Sequence, residues 1–327
     1  MDNVSKKMDK LPRYTAILEG KQKSKYLSCK TIPVDFEGGD NLGTLWNIHD
    51  SSHDGYHKKM DSSLLDLKMF IAKKIVHKCH LCERRCGSDR TKMEGECGVS
   101  RSQIASEFLH YGEEHVLVPS YTIFFSGCTF RCVFCQNWDI SQKICGRYIE
   151  PERLAGKIDA SGGINVNWVG GEPTPNLSYI FQVLGYCKVN IPQVWNSNMY
   201  CSQETMKLLC DVMDVYLTDF KFGNDRCAQR LSDVDNYWEI ISRNHLIAYD
   251  QGEIIVRHLV LPNHIDCCSL PVLDWIADNI PHALVNIMAQ YRPCYKATQY
   301  GDIARPVSRT EYQRVVNHGK EQGLNLI

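Results

Sequence analysis

The stretch Tyr121–Asn137, YTIFFSGCTFRCVFCQN, decides how this chain is read. It opens as a short run of aromatic and β-branched residues, the composition of a buried strand, and breaks at Ser126-Gly127 into a loop. That loop holds Cys128, Cys132 and Cys135. With 16 cysteines in 327 residues, a C-x3-C-x2-C spacing is expected by chance only about 0.04 times. Three thiolates on one loop can hold three irons of a [4Fe–4S] cluster and leave the fourth iron open to a bound molecule. The rival reading is a zinc knuckle completed by a histidine or a distant cysteine.

Downstream of this stretch, apolar runs alternate with helix-like segments. The strand candidates are Tyr121–Ser126, Ile164–Val169, Gln193–Asn196, Val215–Thr218, Ile254–Leu261 and Leu284–Ala289. Helices are expected at Pro151–Asp159, Leu177–Cys187, Gln203–Val212, around Tyr237–Ile247, at Leu270–Asn279 and after Ser308. The alternation predicts an α/β fold with a parallel sheet, and six units are too few for an eight-fold barrel. The expectation is a partial, open (β/α)6 barrel of the TIM type over 119–327, with chemistry at the C-terminal strand ends. Residues 61–118 read as a helix, N-capped by Ser62 or Ser63, leading into a cysteine-rich metal-binding segment. Residues 1–60 read as a polar, loosely ordered extension. His49, His53 and His57 recur every four residues there, but the Asp, Ser and Gly between them favour a solvated loop.

Charge is balanced, 37 basic against 38 acidic side chains, which gives no nucleic-acid footprint over the chain as a whole. The N-terminal residues lack the apolar core of a secretory signal, and no apolar run is long enough to span a bilayer. A soluble, cytoplasmic protein is expected, and in a reducing cytosol closely spaced cysteines read as metal ligands or redox thiols.

The cysteine loop resembles the radical S-adenosylmethionine superfamily, whose members carry C-x3-C-x-aromatic-C. The resemblance implies a [4Fe–4S] cluster on Cys128, Cys132 and Cys135 whose open iron binds the amino and carboxylate groups of S-adenosylmethionine. It implies reductive cleavage to methionine and a 5′-deoxyadenosyl radical, with Phe134 contacting the adenine. Gly170-Gly171-Glu172-Pro173 is similar to the family's GGEP element, which receives the methionine amino group. Asn196-Ser197-Asn198 stands where glycyl-radical activases show Thr-Asn-Gly, which makes Ser197 a cofactor contact, with Met199 in place of the glycine. Asp219 and Lys221 in TDFK are similar to that group's Asp-x-Lys. Arg257 in VRHLVLP matches an arginine that would meet the cofactor's carboxylate or ribose, and Gln290 and Tyr291 fall near the expected substrate mouth. A polar ring of this kind is what a zwitterionic ligand requires.

Within the superfamily, residues 76–325 are most similar to pyruvate formate-lyase activating enzyme-like proteins. The resemblance implies an electron donor of flavodoxin or ferredoxin type and hydrogen abstraction from a protein or peptide. The alternatives are a small molecule or RNA base, with the basic N-terminal segment as docking arm, and a non-catalytic zinc or iron–sulfur module. Upstream, Cys79, Cys82, Cys86 and Cys97 form a second box suited to zinc, to an auxiliary cluster or to redox thiols. The other nine cysteines read as small buried hydrophobes; the alternative for Cys267-Cys268, which follow the fifth strand, is to face the site.

Overall fold

The computed structural model describes residues 10–52 and 62–327. Its sheet begins with β1 (Ile104–His110), which runs antiparallel to β2 (Ser120–Phe125). From β2 onward every pair is parallel: β3 (Asn165–Gly170), β4 (Gln193–Ser197), β5 (Val215–Asp219), β6 (Glu253–Leu259), β7 (Leu284–Met288) and the short β8 (Asn325–Leu326). The eight strands stand in chain order and β1 does not pair with β8, so the barrel stays open. β2 to β7 are the six strands read from the sequence, each within two residues of its expected bounds.

The helices cover the outer face. Pro151–Asp159 and Leu270–Asn279 start on proline-containing turns, as expected. Ser63 caps Leu64–Ile75 and Ser308 caps Arg309–Glu321, each in a reciprocal capping box with the acidic residue three positions on, Asp66 and Glu311.

Residues 10–52 differ from expectation. Residues 12–51 contain three helices, Pro12–Leu18, Lys25–Cys29 and Leu42–Ser51. The cause lies in the barrel. Val194, Val215, Leu217, Ile255 and Leu284 form an apolar floor at the N-terminal ends of the strands, and Leu11, Tyr14 and Leu117 pack into it. Burying such side chains stabilises by roughly 1.5–3 kcal/mol each, enough to order a segment whose composition is otherwise polar. Two carboxylates at the strand starts complete the plug. Glu253 accepts the N–H groups of Arg13 and Tyr14, both at 2.8 Å, and Asp214 accepts that of Lys25 at 3.0 Å. Two basic residues of the segment that the alternative reading would use as a docking arm are engaged within the chain: Arg13 binds Gln22 and the Lys23 carbonyl, and Lys25 binds the Gln251 carbonyl. His49 is not in a solvated loop; it is buried on the third helix with its Nε2 2.9 Å from Lys68 Nζ. His53 and His57 lie outside the described residues. Among the described residues no helix is long and apolar enough to cross a membrane.

Candidate active site

The loop after β2 hangs over the C-terminal ends of the strands, and each of its three sulfurs meets a different neighbour. Cys128 Sγ lies 3.3 Å from the Phe130 N–H and 3.8 Å from Asn198 Nδ2, in the loop after β4. Cys132 Sγ accepts from Ser232 Oγ at 3.0 Å, beyond β5, and Cys135 Sγ is 3.1 Å from Ser141 Oγ. Burial raises all three thiols above their ordinary range, Cys132 to about 12; Glu172 and the other two sulfurs add to the rise at Cys128, and Cys135 to that at Cys132. Lys221 opposes the rise at Cys132 and Cys135, which places its ammonium on the cluster side. Thiols this reluctant to ionise become thiolates when a cation neutralises them, so the donor set and its hydrogen bonds fit a [4Fe–4S] cluster.

Gly170 and Gly171 bring the next loop against this one. A Cβ at Gly171 would stand 2.0 Å from the Gly127 carbonyl oxygen, and Gly170 has φ +121° with no room beside Phe125. Only glycine permits both approaches. Glu172 then turns inward, 1% exposed. Its carboxylate accepts Ser197 Oγ and Thr174 Oγ1, each at 2.6 Å, and the Asn198 N–H at 3.0 Å. The structure therefore joins Glu172 and Ser197, two residues singled out separately in the sequence. Met199 adopts φ +62°, the left-handed backbone that glycine would take freely.

Across the barrel, Asp219 on β5 pairs with Lys221 and with Arg257 Nε on β6 at 3.0 Å. Burial works to raise Asp219, but Arg257 and Lys221 together hold it below the usual carboxylate range. Arg257 also reaches Asn196 and, at 3.3 Å, Glu113. Glu113 and Glu114 belong to the β1–β2 connection and were missed in the sequence, because nothing local says that this loop enters the barrel. They bond to Asn167 on β3 and Asn286 on β7, at 3.1 and 2.9 Å. Asn198, Ser141 and Ser232 were also missed; only Asn198 had a signal, its place beside Ser197. Asn196 Nδ2, Asn167 Oδ1 and Glu114 Oε2 are buried with no partner among the described residues, which leaves donor and acceptor capacity inside the barrel. Phe134 is 4% exposed and packs edge-on at 6.1 Å against Phe222 and Tyr291, so its ring braces the cluster loop. Gln290 accepts from Gln136 Nε2 through its carbonyl, tying the cluster loop to the end of β7.

The upstream box sits next door. Cys79, Cys82, Cys86 and Cys97 line one small cavity with Arg84 and Arg90, and the Cys97 carbonyl accepts the Cys128 N–H at 3.3 Å. Of the nine remaining cysteines, Cys29, Cys187 and Cys201 are buried as expected. Cys227 and Cys268 are buried too, whereas Cys145 and Cys267 are exposed, and Cys227, Cys267 and Cys268 meet around His264.

The description Radical SAM superfamily matches residues 122–276, from β2 through the helix after β6. The chain belongs to the radical SAM superfamily. Members of the radical SAM superfamily are enzymes, and the cofactors are a [4Fe–4S] cluster and S-adenosylmethionine. An uncharacterized protein of Methanocaldococcus jannaschii is 46% identical over 97% of this chain and 99% of its own length. The pyruvate formate-lyase 1-activating enzyme of Escherichia coli is 26% identical over 45% of this chain and 63% of its own. Among solved structures, Streptococcus suis SuiB bound to S-adenosylmethionine superposes with a TM-score of 0.46 and 14% identity, over 61% of this chain and 47% of SuiB.

Proposed function

We propose that this radical SAM enzyme abstracts hydrogen from a protein or peptide, in the manner of a glycyl-radical activase. When bound, the cluster and S-adenosylmethionine supply a 5′-deoxyadenosyl radical. Cys128, Cys132 and Cys135 hold the iron. The chain's remaining work is placement and exclusion: Gly170, Gly171, Glu172 and Ser197 shape one wall, and Asp219, Lys221 and Arg257 form a ring of alternating charge that suits a zwitterion. The observation that carries the reading is the convergence of these strand ends on the three cysteine sulfurs. The sheet, open between β1 and β8, supports a large substrate. We assign the upstream box a second metal centre, and the electron to a flavodoxin- or ferredoxin-type donor.

The test is anaerobic reconstitution with iron and sulfide, reduction, and addition of S-adenosylmethionine. Formation of 5′-deoxyadenosine above a Cys132→Ala control supports the enzyme; its absence overturns it. With peptides deuterated at glycine Cα, transfer of one deuterium into 5′-deoxyadenosine supports the peptide substrate. Product that stays unlabelled across glycyl-radical peptides refutes that part alone.

A further inference from the structure

Forty residues of sequence separate Cys227 from Cys267, yet their sulfurs lie 3.9 Å apart. Cys267 and Cys268 are 3.8 Å apart, and His264 Nδ1 is 3.6, 3.4 and 3.6 Å from Cys227, Cys267 and Cys268 in turn. All four ligand atoms fall within 4.8 Å of one another. A tetrahedral zinc ion with Zn–S and Zn–N bonds of about 2.3 and 2.0–2.1 Å sets its ligands about 3.8 Å apart for two sulfurs and about 3.5 Å for sulfur and nitrogen. Five edges of the tetrahedron therefore already have the length that one zinc ion imposes. A four-iron cluster spreads its ligands wider, and a disulfide would bring two sulfurs to about 2.05 Å.

The geometry points to a structural Cys3His zinc site formed by Cys227, His264, Cys267 and Cys268. The far side of the histidine supports this. His264 is buried, and its Nε2 lies 2.9 Å from Asp302 Oδ2 and 3.2 Å from the Arg230 guanidinium; donating Nε2–H to the closer carboxylate leaves the Nδ1 lone pair facing the sulfurs. Binding releases the three thiol protons and leaves a centre of net charge −1, next to the Arg230 guanidinium that pairs with Asp302. Three thiolates and one imidazole fill a tetrahedral ion, so the site is closed and its role structural.

Its placement says what it stabilises. Cys227 lies near the start of the helix Asp225–Ser232, in the loop after β5, and the other ligands follow β6. Asn224 Nδ2 donates to the Cys267 carbonyl at 2.7 Å, and a Cβ at Gly223 would collide with that carbonyl at 2.7 Å, so the two loops are in contact at the site. At its other end the same helix gives its Leu231 and Ser232 carbonyls to the N–H groups of Val133 and Arg131, and Ser232 Oγ to Cys132. The zinc site thus anchors the helix that backs the cluster loop, through residues that belong to neither cysteine box.

The test is zinc and iron content per chain in protein purified without chelator, compared with a Cys267→Ser/Cys268→Ser variant. We expect the variant to lose one equivalent of zinc and no iron; equal zinc in both overturns the site. Native alkylation of wild type covers a variant that fails to fold. Cys267 is exposed, so a free thiol there labels at once, whereas a zinc-bound one labels only after chelation. Immediate labelling, or a disulfide among the three cysteines by mass spectrometry, refutes the assignment. Asp302→Asn should hold zinc about 10–100-fold more weakly.

Discussion

Replacing Gly171 with alanine tests whether the contact between the β2 and β3 loops holds the cluster site in shape. The new Cβ would stand 2.0 Å from the Gly127 oxygen and 2.7 Å from its carbon, where ordinary contact begins at 3.4 Å. The backbone must therefore open by roughly 1.4 Å, and no side-chain rotation can relieve it because both colliding atoms are main chain. Movement strains the bond from the Gly171 N–H to the Phe125 carbonyl, 2.8 Å long, or carries Gly127 and Cys128 away from Asn198. Overpacking costs about 1–3 kcal/mol and a lost buried hydrogen bond about 1 kcal/mol more. A shift of this size at the first cysteine is expected to lower turnover about 100-fold. The assay measures iron and sulfide after reconstitution, 5′-deoxyadenosine formation and thermal unfolding, beside Gly185→Ala. Gly185 is exposed on the helix Leu177–Tyr186 with nothing within 4 Å of a new Cβ, so alanine there should stabilise by up to about 1 kcal/mol. If Gly171→Ala retains full iron, wild-type turnover and an unchanged melting point, the close approach does not hold the site.

Ser232→Ala removes a hydroxyl donor to Cys132 Sγ, so the reduced cluster is less stabilised; its potential should move negative at unchanged iron content, and an identical redox titration would refute the role. Arg257→Ala leaves Asp219 and Glu113 facing each other without their shared cation and should cost about 3–5 kcal/mol, whereas Arg257→Lys keeps the charge and should mainly raise the S-adenosylmethionine concentration needed for half-maximal rate. An Arg257→Ala variant that melts with wild type would sink the buried-ring argument. Burial pushes His245 down to about 4, against a hydrogen bond to the Ile241 carbonyl that favours its protonated form. The unfolded chain takes up this proton first, so stability is retained above about pH 6.5 and falls by about 3 kcal/mol as pH drops toward 4. His245→Leu should flatten that limb in denaturant titrations at several pH values. A Cys79→Ser/Cys82→Ser variant should lose the metal of the upstream box; unchanged zinc and iron would remove that centre from the reading.

The α/β core was legible because its signals are local. A strand buried on both faces shows as a short apolar run, as at Val215–Thr218, and a helix start shows in its cap, as at Ser63 and Ser308. The cluster loop was legible because its ligands lie within eight residues of one another. What the sequence hid depends on distant partners. Leu11 and Tyr14 look like stray apolar residues in a polar tail until the floor of the barrel is seen to need them. Glu113 and Glu114 look like surface charges until Arg257 is found on the other side of the loop. Cys227 and His264 are 37 residues apart, and no spacing rule joins them.

The three cluster sulfurs are secured unequally. Cys128 is reached from the loop after β4 through Asn198, whose side chain also takes Thr129 and the Tyr200 N–H, so that contact rests on several bonds within one loop. Cys135 is held by Ser141, six residues away on the same segment, and needs no distant element. Cys132 leans on a helix distant in sequence, and that helix is fixed at its far end by the cysteines and histidine after β5 and β6. Loss of zinc would therefore loosen the protein's grip on one sulfur while leaving the other two in place. Iron content should then stay at the wild-type level, with the change confined to Cys132, beside which Lys221 already pairs with Asp219.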